Sequence, residues 1–72
     1  MDRALVYSVI DRFNYIKEDL EESGLESYFE ELFESIQSGS FGDIQELENI
    51  LSSEQLEFLK DFDYEFYSLL VK

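Results

Sequence analysis

Between Asp2 and Ser23 the apolar residues Val6, Val9, Phe13, Ile16 and Leu20 recur at intervals of 3, 4, 3 and 4. That spacing lines one face of an amphipathic helix. Leu5 and Ile10 widen the stripe, and Asp2 is the expected N-cap. Gly24 suits the left-handed position just past a helix end, with Leu25 supplying the hydrophobic contact of a Schellman ending. A second helix is predicted from Leu25 or Glu26 to Gln37, burying Leu25, Phe29, Leu32, Phe33 and Ile36. Ser38-Gly39-Ser40 breaks it. A short helix is predicted within Asp43 to Leu51, with Asp43 as N-cap, Glu46 as its capping-box partner, and Ile44, Leu47, Ile50 and Leu51 as its apolar edge. Ser52 and Gln55 repeat the capping-box register. They open a fourth helix that runs to about Val71 through Leu56, Leu59, Phe62, Phe66 and Leu69.

The chain has no proline and no alternating strand pattern, so the class is all-α. Short loops favour antiparallel neighbours. The expected architecture is a small antiparallel bundle of three long helices and one short helix, forming a single domain over residues 1–72. The fourth helix carries more apolar surface than one stripe needs, in Phe58, Tyr64, Tyr67, Leu70 and Val71. An exposed patch of that kind marks an interface, and a homodimer is expected through it.

Composition sharpens this picture. At 72 residues the chain is small enough to be marginal alone, but it is 44% hydrophobic and 17% aromatic. Large rings contribute much burial per residue, and disordered acidic chains are poor in them. No run of residues is long and apolar enough for a membrane span. MDRALVYSVIDRF lacks the basic flank of a signal peptide, so a cytoplasmic location is expected. There is no cysteine and no histidine, which removes disulfides, thiolate metal sites and the commonest general bases and nucleophile pairs. No enzyme activity and no cofactor are expected. Asp61, Asp63 and Glu65 spell the opening of a calcium loop, but the sixth and twelfth positions are Phe66 and Lys72 where glycine and glutamate are needed. No dedicated metal site is expected.

Charge changes the picture most. Five basic residues face eighteen acidic ones, for a formal net charge of −13. Such a chain does not bind nucleic acid or an anionic membrane directly, because both require Lys and Arg. It fits a partner with a basic surface. From Glu18 to Glu34 there are eight carboxylates and no base. On a continuous helix Glu26, Glu30 and Glu34 would stack roughly 6 Å apart along the axis, where like charges oppose helix formation. One reading is that Glu18, Glu21, Glu22, Glu30, Glu31 and Glu34 form solvated faces that keep a sticky domain soluble. Solubility, however, needs a net charge of only about 2–8 in a small domain.

The other reading is that the surface imitates a phosphate ladder, which in duplex DNA carries one negative charge per ~1.7 Å of axis. Its rows would be Glu26, Glu30, Glu31 and Glu34 on the second helix, beside Glu22 at the end of the first, and Glu54, Glu57, Asp61 and Glu65 on the fourth. Asp43, Glu46 and Glu48 would add a third cluster. Tyr28 and Tyr64, each flanked by acids, are the leading aromatic anchors, because interfaces favour tyrosine; Tyr7, Tyr15 and Tyr67 complete the set. Half-buried rings with the hydroxyl reaching water are the commoner setting for such tyrosines.

With its carboxylate rows, such as Glu26, Glu30 and Glu34, the chain resembles the small acidic DNA-mimic inhibitors, many of them made by phages. The resemblance spans the whole chain in size, charge and helicity, without a shared motif. It implies a host DNA-binding protein as target, such as a sliding clamp, a nucleoid protein, or a restriction or CRISPR nuclease. The alternative is an antitoxin, immunity or antirepressor-type module that binds its partner through an apolar aromatic patch. A structural subunit of a larger assembly is a third reading.

Overall fold

In the computed structural model, which describes residues 3–71, the 3-4-3-4 stripe becomes α1 (Arg3–Glu22), with Val9, Phe13, Ile16 and Leu20 all buried. The expected cap at Asp2 lies outside the described residues. Gly24 has φ +74° and ends α1 as a Schellman motif. The Leu25 N–H donates to the Leu20 carbonyl at 2.9 Å and the Gly24 N–H to the Glu21 carbonyl at 3.1 Å. Four shorter helices follow: α2 (Glu30–Ser38), α3 (Ile44–Asn49), α4 (Ser53–Phe62) and α5 (Tyr64–Leu70). The described residues are all helix and connecting turns, with no strand. The Cα radius of gyration of 11.1 Å matches the ~11 Å expected for a folded chain of this length.

Two predicted boundaries differ. The second helix begins at Glu30, not at Leu25 or Glu26. After the Schellman ending, residues 26–29 form a turn in which the Phe29 N–H donates to the Leu25 carbonyl at 3.1 Å. Phe29 stands at the N-cap with no side-chain cap, so no capping residue pulls the helix start earlier. The predicted fourth helix is two helices, α4 and α5, separated by Asp63 in extended conformation (φ −152°, ψ 94°). The described residues therefore form five helices, only one of them long.

The break at Asp63 follows from two competing stripes. Leu59, Phe62, Phe66 and Leu69 make one; Leu59, Asp63, Phe66 and Leu70 make the other, with a carboxylate inside it. The second is the buried one, since Leu59, Asp63, Phe66 and Leu70 are buried while Phe62 and Leu69 are only half-buried. Asp63 is accommodated by Arg12, whose guanidinium meets it at 2.8 and 3.0 Å. The same carboxylate accepts the Phe66 N–H at 3.1 Å and so caps α5. Those hydrogen bonds to Asp63 push the Arg12 pKa further up, so the guanidinium stays charged.

α5 is the centre of the packing, touching α4, α1 and α3. The Phe13 ring meets Phe33 edge-on at 5.0 Å and Phe66 at 6.1 Å. A second aromatic row runs Phe29, Phe58, Phe62 at 5.7 and 5.6 Å. This packing uses up most of the apolar excess expected at the surface of the fourth helix. Leu70 is buried, Phe58, Tyr67 and Val71 are half-buried, and Tyr64 alone of the five is exposed.

Candidate functional site

Residues 18–59 contain thirteen carboxylates and no Lys or Arg, so they carry the entire formal charge of −13. Eight of the thirteen lie between Glu18 and Glu34, around the turn at 26–29 and the start of α2. Glu30 and Glu31 occupy the first turn of α2, where they complement the exposed N–H groups and the helix dipole. Glu34 follows one turn later. Glu30 and Glu34 form a ridge between two surface grooves. One, of about 450 Å³, is lined by Tyr28, Glu30, Glu31, Glu34, Ile50 and Leu51 among others. The other, of about 360 Å³, is lined by Glu26, Glu30, Phe33, Glu34 and Gln37 with Ser27.

The predicted row of three is thus altered. Glu26 lies in the turn before α2 rather than one helical turn below Glu30, yet it lines the same groove as Glu30 and Glu34. Tyr28, 43% exposed, stands on the rim of the larger groove. Its carbonyl accepts the Gln55 side-chain amide at 2.7 Å, while the other end of that amide accepts the Ser52 N–H at 2.7 Å. Gln55 therefore both completes the α4 capping box and ties α4 to the acidic turn. The first role is visible in the sequence; the second depends on a contact 27 residues away.

The remaining predicted residues are dispersed. Asp43 and Glu46 are committed to the α3 capping box. The Asp43 carboxylate accepts the Glu46 N–H at 3.1 Å, and the Glu46 carboxylate accepts the Asp43 N–H at 3.0 Å and the Gly42 N–H. Glu65 faces Arg12 at 3.4 Å. Glu22, Glu54, Glu57 and Asp61 are exposed on their helices and line neither groove. Tyr64 is 62% exposed with its ring 5.9 Å from Tyr67, away from the acidic ridge.

Among the described residues, both ion pairs are made by Arg12, and none of the carboxylates on the ridge is paired. No group of three or more His, Cys, Asp or Glu side chains among them is arranged to hold a metal ion, and no helix is long and apolar enough to cross a membrane. Fold and surface define a small, all-helical, strongly acidic protein whose net charge is carried by one segment. No protein family, curated protein or solved structure matches this chain.

Proposed function

We propose that this protein is a DNA-mimic inhibitor acting in the cytoplasm. It would occupy the basic nucleic-acid-binding site of a host DNA-binding protein and exclude the nucleic acid by competition. The observation that carries the reading is the ridge of Glu30 and Glu34, with Glu26 and Glu31 lining the grooves on either side of it, within a segment of thirteen acids and no base. Glu30 and Glu34 stand about 6 Å apart along α2, and the flanking grooves give long basic side chains room to lay their stems beside the carboxylates. The role is binding, with Tyr28 as a rim anchor.

A second reading, an antitoxin, immunity or antirepressor-type module, relied on an apolar patch along the fourth helix. With Leu70 in the core and Phe58, Tyr67 and Val71 half-buried, Tyr64 is its one exposed member there. The carboxylate reading has the stronger support.

The test is capture of a partner from nuclease-treated cell lysate, with wild type and the combined Glu26→Gln, Glu30→Gln, Glu31→Gln, Glu34→Gln variant immobilised side by side. Losing four exposed charge contacts should weaken the captured complex about 30-fold, whereas each single change has a small effect. Equal capture by the two proteins would sink the proposal.

A further inference from the structure

We infer that the α1–α5 face is the surface through which two copies of this chain associate. Charge is divided unevenly along the chain. Outside residues 18–59 the sequence has five basic and five acidic residues and is electroneutral. Those neutral segments include α1 as far as Lys17 and all of α5, which pack directly on one another. A second copy brings another −13, so approach through the acidic segment is opposed by repulsion between like charges. The neutral face carries no such penalty.

That face also has the shape and the anchors. A shallow groove of about 280 Å³ between α1 and α5 is lined by Ser8, Asp11, Arg12, Tyr15, Glu65 and Leu69. Tyr15 is 70% exposed, and Tyr7, two helical turns earlier on α1, is 61% exposed. The Arg12 guanidinium lies 4.5 Å from the centre of the Tyr15 ring while being held by Asp63. The ring is therefore positioned before any partner arrives, which lowers the entropy lost on association. Exposed tyrosine rings are preferred interface anchors. A basic partner, by contrast, is drawn to the acidic ridge, so the neutral face is left for a second copy.

Salt gives the association a distinctive sign. Added salt screens the residual repulsion between copies and strengthens the dimer, whereas it weakens binding of a basic partner. Self-association is thus measured independently of the proposed inhibitor role. Sedimentation velocity of the protein alone at about 100 µM should give twice the 8.6 kDa chain mass, with the dimer fraction rising with salt. Tyr15→Glu and Leu69→Glu should each shift the protein to monomer, while Asn49→Glu, the same charge change at an exposed position of α3, should leave the dimer intact. Circular dichroism on each variant confirms that the helices remain. A monomeric wild type at that concentration overturns the inference, as does a dimer that survives both Tyr15→Glu and Leu69→Glu or is lost equally in Asn49→Glu.

Discussion

Asp63→Ala removes the residue that decides where the fourth predicted helix breaks. Asp63 is 9% exposed and does two jobs, capping α5 through the Phe66 N–H and accepting the Arg12 guanidinium. Loss of an N-cap costs about 1 kcal/mol. Hydrogen bonds to a charged group contribute about 1.5–3 kcal/mol, and the lower end applies because the Arg12 side chain is 29% exposed and keeps Glu65 at 3.4 Å. The sum is about 2.5 kcal/mol, against a total stability of roughly 4–11 kcal/mol for a chain of this length. Asp63→Asn retains a good cap and loses only the charge, so it should cost about 1.5 kcal/mol. Urea unfolding followed by helical circular dichroism reads both values, with melting temperature expected to fall by about 10–20 °C for Asp63→Ala. If Asp63→Ala stayed within about 0.5 kcal/mol of wild type, or Asp63→Asn were equally damaging, the assigned role of the junction would be wrong.

Gly24→Ala should cost about 1–2 kcal/mol through its left-handed backbone alone, since an added Cβ meets no atom within 4 Å; thermal melts of Gly24→Ala and Gly39→Ala, which share a φ near +70°, should show similar losses. Raising salt from low to physiological strength should increase the urea midpoint, because it screens the mutual repulsion of residues 18–59. A midpoint unchanged by salt would mean that the clustered carboxylates impose no strain on the fold.

The parts of the fold legible in the sequence are those fixed by local chemistry. The α1 stripe, the Gly24–Leu25 ending, and the capping boxes Asp43–Glu46 and Ser52–Gln55 each depend on residues within a few positions of one another, and each forms as read. The Asp63 break was hidden because Leu59 and Phe66 belong to both possible stripes, and the choice between them rests on Arg12, 51 residues away. The late start of α2 was hidden because no capping residue marks it; Glu26 and Glu30 are spaced as helical neighbours while the backbone between them turns. At the candidate site the acidic charge itself was legible. The division between the ridge at Glu30–Glu34 and the committed carboxylates of Glu46 and Glu65 was not, since it depends on which backbone N–H or guanidinium each carboxylate reaches.

If the carboxylates of Glu26, Glu30, Glu31 and Glu34 take the place of nucleic-acid phosphates, duplex DNA must compete with this protein for one surface of the partner. The most direct measurement is displacement of a lysate-captured partner from the immobilised protein by duplex DNA, at constant salt. A DNA-binding protein should be retained, and DNA should release it in proportion to DNA concentration. A retained partner that binds DNA and the protein at the same time, or that DNA fails to release, would contradict it.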